Sequence, residues 1–461
     1  MLSLKEFTDM KRHLYILLLA LMNVVGFNSY ATVCAPYSSS HPSSDTYSSP
    51  LTASDDACTS YATKASFVYD VDFETRFDNR EFQGKSTFTP SMTIFGARLT
   101  PQVGLVLRDG LTGSCRDKAC PGNWQNGAAE GCKKGSAEHR IMIGVDLFKD
   151  FGSGKDLNLF REMTLYYNLR KTIGKTDFEM YAGVFPRKAM GNSNFCSGPS
   201  SGMRGCSAGM GLYSNAFFSD SLAFYDNNLE GLLLKFTREK AYFEVGCDWM
   251  GQYGQNRREK FMIFTAGEGK VLPFMSLGYA GYMLHYANSV QVKGLIDNIL
   301  VNPYMRFDLG QYAGLQSLSM RLGWLQAMQR DRKHVGEFVF PCGGEFDQEV
   351  RNWNVGVYNR MFFGQNMMPY YSGTDDGGFK YGPNLYYGDP FYRVHDDGSE
   401  GAGFYDRLEV YYEPQIGKCL TLRVSALFHF NGTKYSGSQQ MVGIRFNLCE
   451  LLGISPYSRA H

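Results

Sequence analysis

Residues 406–450 read DRLEVYYEPQIGKCLTLRVSALFHFNGTKYSGSQQMVGIRFNLCE. In the first segment Leu408, Val410 and Tyr412 fall on one face, with Arg407, Glu409, Tyr411 and Glu413 on the other. After Pro414-Gln415-Ile416-Gly417 the alternation resumes. Leu420, Leu422, Val424, Ala426, Phe428 and Phe430 share one face, and Thr421, Arg423, Ser425 and His429 the other. Val442, Ile444, Phe446 and Leu448 against Gly443, Arg445 and Asn447 repeat the pattern. A period of two held this long specifies strands, because successive strand side chains point to opposite faces.

A secreted β-sandwich or a solenoid shows the same alternation, so the surroundings must decide which face meets water. Four features do so: an export signal, strands of about ten residues, connections that alternate short and long, and charges on the second face of nearly every strand. Together they describe an all-β fold, a transmembrane antiparallel β-barrel, apolar outside and polar inside. About sixteen strands are expected, within a range of about fourteen to eighteen.

The export signal is Lys11-Arg12-His13, the apolar run 14–27, and Asn28-Ser29-Tyr30-Ala31. A basic start, a short apolar stretch and small residues before the break form a Sec signal peptide, residues 1–31. The run is shorter than the ~20 residues a spanning helix needs. Residues 32–65, rich in Ser, Thr and Pro without periodicity, read as a flexible lead-in, 66–450 as the barrel, and 451–461 as a tail.

The chain carries 46 Lys+Arg against 45 Asp+Glu, a balance that gives nucleic acid no footing as a partner. Its 30 Tyr and 34 Phe suit a wall with aromatic girdles at the two lipid headgroup levels. Eleven Cys leave at least one unpaired. Cys115, Cys120 and Cys132, and then Cys196 with Cys206, sit in Gly/Ser-rich stretches and read as candidate loop disulfides in an oxidising compartment. The first group lacks the close pairs of a zinc ribbon, so no metal or other cofactor is expected.

Alternation places strands at 67–78, 92–108, 139–148, 162–170, 176–185, 226–236, 241–250, 258–266, 271–284, 301–309, 315–328, 351–362 and, weakly, 366–371, with three more beginning at 404, 418 and 439. The 92–108 run keeps its face through Pro101, which is read as a bulge within one strand. Since both ends of an even barrel lie on the periplasmic side, the turns near 171–175, 237–240, 267–270, 310–314 and 414–417 come out periplasmic and short. Segments 186–225, 285–300, 329–350 and 372–403 come out extracellular and long. The Cys-rich 109–138 falls on the short-turn side, as an exception.

Catalytic patterns are absent: no Gly-x-Ser-x-Gly, no His-Glu-x-x-His and no phosphate loop. Ser425 and His429 share a face, but four residues along a strand span about 13 Å. The acidic stretches 374–378 and 395–400 read as solvated loop, with divalent binding the lesser alternative. The informative set is the second-face charges: Asp70, Asp72, Glu74, Arg76, Arg98, Glu244, Asp248, Arg306, Asp308, Arg321, Glu409, Arg423 and Arg445. Facing rows of acid and base select polar solutes; equally, such charges pair with one another and stiffen the wall.

The stretches 70–80 (DVDFETRFDNR), 93–106 (TIFGARLTPQVGLV), 139–152 (HRIMIGVDLFKDFG) and 226–233 (DNNLEGLL), with the final strand, resemble porin-like outer-membrane barrels of the Bacteroidetes. The resemblance implies the outer membrane of a Gram-negative cell and names no substrate. The expected function is a passive channel for small hydrophilic solutes, surrounded by outer-membrane lipid, without enzymatic activity; the oligomeric state stays open. The alternative is a plugged barrel serving envelope assembly or surface glycan attachment.

Overall fold

The computed structural model describes residues 61–82, 89–111, 137–153, 159–191, 211–378, 380–395, 401–417 and 419–448. The signal peptide, most of the lead-in, the tail and all five candidate loop cysteines lie outside the described residues. Sixteen long strands form the wall. They are β1 (Tyr61–Phe82), β2 (Met92–Leu111), β3 (Ala137–Asp150), β4 (Phe160–Ile173), β5 (Thr176–Pro186), β6 (Asn228–Thr237), β7 (Ala241–Gly251) and β8 (Lys260–Leu272). Then come β9 (Met275–Tyr286), β10 (Ile296–Asp308), β11 (Ser317–Asp331), β12 (Cys342–Asn352), β13 (Val355–Gln365), β14 (Ala402–Tyr412), β16 (Leu420–Asn431) and β17 (Lys434–Asn447), the two-residue β15 (Gln415–Ile416) lying in the turn before β16.

Each wall strand pairs antiparallel with its neighbours in sequence, and β17 pairs with β1 from Asp72↔Asn447 to Phe82↔Gly437. The sheet therefore closes on itself along Asp72–Phe82, while residues 61–71 of β1 pair with β2 alone among the described residues.

The two faces sort as the alternation dictates. Val410, Tyr412, Val424, Val442 and Ile444 are exposed on the outside, while Arg407, Glu409, Tyr411, Arg423 and His429 are buried inside. Pro101 lies in β2 opposite Val71 with its register intact. Toward β3 the pairing steps from Leu99↔Leu147 to Gln102↔Gly144 without a shift, so the expected bulge is not needed. Proline's missing N–H is absorbed as a local gap in one ladder, which a long strand paired on its other side tolerates.

Two strand assignments are corrected. β12 lies within the segment read as the loop 329–350, and 366–371 is loop rather than strand. The errors cancel in number, which preserved the parity. β12 escaped because its outer face, Cys342, Gly344, Phe346, Gln348, Val350 and Asn352, carries few large apolar side chains. It joins β13 through Trp353-Asn354, both with left-handed backbone (φ 49° and 65°), the geometry of a two-residue hairpin turn. A smaller correction moves the 267–270 turn to 273–274, since β8 runs on to Leu272. The first strand begins at Tyr61, inside the expected lead-in.

Both ends of the wall and the short connections 174–175, 238–240, 273–274, 309–316, 353–354 and 413–419 share one end of the barrel, while the two-residue turn 432–433 lies at the other. Segments 187–227, 287–295, 332–341 and 366–401 lie at the other, and the 112–136 connection falls at the short-turn end, as expected, its residues outside the described ones.

The described parts of loops 187–227 and 366–401 fold back into the barrel. Their Met190, Leu212, Tyr213, Phe217, Phe218, Leu385, Tyr386, Phe391 and Tyr392 form one buried cluster with Tyr181, Leu233, Phe264, Tyr282, Leu300, Phe362 and Tyr405 of the inner wall. The interior thus has a core of its own, with aromatic pairs such as Phe391–Tyr405 stacked at 4.9 Å. Glycines admit the larger wall rings: a Cβ on Gly356 would sit 2.2 Å from Tyr411 Cζ, and one on Gly278 2.4 Å from Tyr304 Cζ.

Candidate functional site: the charged lumen

All thirteen candidate charges lie on the inner face, but the structure divides them into separate groups. Asp72, Glu74, Arg76, Arg98 and Arg445 meet round one cavity of about 80 Å³, completed by Thr100 and by Arg187, Lys188, Ala223 and Asn227 of the 187–227 loop. β1, β2 and β17 are neighbours in the closed sheet, so their second-face charges converge, and the short turn Arg187–Ala189 and helix Asp220–Tyr225 complete the enclosure.

Lys188 Nζ donates to Asp70 Oδ2 at 2.7 Å and also to Asp72. Arg445 approaches Asp72 at 3.5 Å, and Asn447 donates to the same carboxylate. Arg76 donates to the Asp220 carbonyl at 3.0 Å, lies 4.5 Å over the Phe224 ring, and comes within 3.8 Å of Glu74. Arg98 pairs with Asp146 behind the cavity and donates to the Phe224 carbonyl. Arg187 donates to the Asp226 and Asn228 carbonyls at 3.1 and 3.2 Å and faces Asp248 at 3.6 Å.

The other candidates hold the plug and wall. Arg306 and Arg321 each donate to the Gly211 carbonyl at 3.0 Å, with Arg306 also 3.1 Å from Glu268. Glu244 accepts from Gly191 N at 2.8 Å, and Asp308 from Ser319 Oγ at 3.0 Å. Arg423 joins Glu409 at 2.8 Å and Glu413 at 2.7 Å, its guanidinium 3.9 Å over Tyr411.

Exposure varies along the inner face. Side chains along the β1–β17 strip keep 14% exposure at Arg76, 24% at Glu74, 15% at Asp72 and 24% at Arg445. Across the barrel Arg360 and Asp347 keep 1% and 0%. Arg98 and Arg187, which complete the cavity lining, are nearly as dry, at 4% and 3%.

Sequence reading missed Arg187 and Lys188, because nothing in a loop sequence says that it turns inward. It also missed Glu345, Asp347, Glu349 and Arg351 of β12, although their period-two spacing was there to read. His429 and Ser425 do not form a catalytic pair; the imidazole is held by Tyr405 Oη at 2.8 Å and Gln439 Oε1 at 2.9 Å. The acidic stretch 374–378 is engaged rather than merely solvated: Asp375 is buried against Arg258 at 2.7 Å, and Asp376 pairs with Lys333 and, at 2.9 Å, with His334.

No family model and no curated protein sequence matches the chain. Among solved structures it is similar to a triple-mutant porin of Rhodopseudomonas blastica, at 8% identity and a TM-score of 0.40, over 83% of this chain and 100% of that one. It is also similar to OmpT, an outer membrane protein of Vibrio cholerae in a trimer form, at 8% identity and a TM-score of 0.43, over 83% of this chain and 99% of that one. The fold is a closed antiparallel barrel of sixteen wall strands. That statement stands on the closed ladder itself.

Proposed function

We propose that the chain spans the outer membrane of a Gram-negative cell, exported by the Sec route, and acts there as a passive channel for small hydrophilic solutes, without catalysis. The observation that carries the reading is the wet charged strip of Asp72, Glu74, Arg76, Lys188 and Arg445 between the plug and the β1–β17 wall. Solutes pass along this strip, where charges of both signs replace part of their hydration. The apolar outer face, with Leu165, Trp249, Trp324 and Phe363 exposed, meets lipid. Liposome swelling tests the reading: vesicles carrying folded protein swell in small sugars more slowly as sugar size grows. Vesicles that do not swell in the smallest sugar refute it.

A second reading has an observation of its own. The described parts of loops 187–227 and 366–401 place an aromatic cluster in the interior, which suits a closed barrel serving envelope assembly or surface glycan attachment. Absence of swelling from folded protein favours it.

A further inference from the structure

We propose that the lumen cavity is a binding site for a small oxyanion, a phosphate or carboxylate group carried by the permeating solute; the inference deepens the channel reading and rests on it for the solute's route. Five cationic side chains line the cavity, Arg76, Arg98, Arg187, Lys188 and Arg445, against two carboxylates, Asp72 and Glu74. Asp72 is occupied on the cavity side by Lys188, Arg445 and Asn447. The further acids that balance the cations stand outside the lining: Asp146 behind Arg98, Asp70 behind Lys188, and Asp226 and Asp248 beside Arg187. A solute in the cavity therefore meets mainly donors.

Two of those donors are unspent. Arg98 Nε and Arg187 Nη1 are buried and have no acceptor among the described residues. Both side chains are nearly excluded from solvent, 4% and 3% exposed. A buried guanidinium N–H left without an acceptor is costly, on the order of 1–3 kcal/mol for a polar group and more for a charged one. An oxyanion among these side chains brings acceptors to a lining short of them, and the planar fork of arginine matches carboxylate and phosphate geometry. The size agrees: a cavity needs about 10–15 Å³ for one water, so 80 Å³ accommodates several waters or one small oxyanion group.

Polarity fixes the class further. Arg76 and Arg98 are packed over the Phe224 and Phe148 rings, 4.5 and 5.1 Å from their centroids, which holds their planes and limits how far they swing toward a larger solute. The site thus selects a compact anionic group rather than a neutral sugar.

The test is equilibrium dialysis of radiolabelled inorganic phosphate, and in a second arm acetate, against the folded full chain in detergent micelles. Saturable binding is expected in at least one arm, weakened about tenfold or more in Arg187→Gln. Because removing Arg98 alone strands Asp146, the second variant is the charge-balanced Arg98→Gln/Asp146→Asn, which also loses affinity. Folding of each variant is checked by its heat-modifiable gel mobility. Binding without saturation, or affinity unchanged in both variants, overturns the proposal. The channel reading is scored separately. Swelling without oxyanion binding removes the site and leaves the channel, whereas binding without swelling leaves the site and removes the channel.

Discussion

Neutralising Asp70 and Asp72 together separates a working charge strip from a structural one. Both carboxylates hold Lys188 of the plug loop, and Asp72 also faces Arg445 at 3.5 Å. Asp70→Asn/Asp72→Asn keeps size and polarity but removes the carboxylates that Lys188 and Arg445 face. Breaking a fully buried pair costs about 3–5 kcal/mol. Lys188 and Arg445 keep 21% and 24% exposure, so water repays part of this, and about 2–3 kcal/mol is expected. In the cavity the lining changes from five cations and two carboxylates to five and one. Since screening acts over about 8 Å in physiological salt, ions passing at contact distance feel the change, most strongly at low salt. Reversal potential in a salt gradient should shift toward anion selectivity, and the urea midpoint in lipid should fall. A fall in midpoint with an unmoved reversal potential means that the strip is not on the conduction path. If neither moves, the pairing of Lys188 with β1 is refuted.

Leu422→Arg or Val424→Arg, both on the outward face of β16, should cost about 2–4 kcal/mol if near the midplane; an unchanged unfolding midpoint for both removes that face from lipid. Gly356→Val drives a side chain into Tyr411, whose Oη donates to Glu349 at 2.7 Å, and should cost about 1–3 kcal/mol in the same assay. At the rim, hydrogen bonds to Asp331 and then Asp376 raise the His334 pKa above its ordinary value. A raised folded-state pKa means that this tie to the 366–401 loop is complete below the free value of about 6.5 and is lost as pH rises through the folded value. Proteolysis of that loop should therefore be faster at about pH 8.5 than at about pH 5.5, and His334→Asn should flatten the difference. The Lys333–Asp376 and Arg258–Asp375 pairs also hold that loop and limit the size of the effect.

The wall was legible because its code is local. Leu422 and Val424 against Arg423 and Ser425 need only the period of the strand to be sorted, and the single strand through Pro101 followed from a face that never slipped, although the bulge read there is absent. β12 was lost because Gly344, Gln348 and Asn352 dilute the apolar signal that a lipid face normally supplies, although Glu345, Asp347, Glu349 and Arg351 kept the period. The plug was illegible for a different reason. The rings of Phe217, Phe218, Tyr386 and Phe391 occur in stretches without periodicity, and only tertiary contacts with Tyr282, Phe362 and Tyr405 turn them inward. For the same reason the cavity was half visible: β1, β2 and β17 supplied Asp72, Glu74, Arg76, Arg98 and Arg445, while Arg187 and Lys188 arrive on the loop.

Single-channel recording of purified, folded protein in a planar bilayer tests the central claim most directly. The account predicts discrete, stable current steps whose ion preference changes in Asp70→Asn/Asp72→Asn. Insertion of folded barrel without any current step contradicts it.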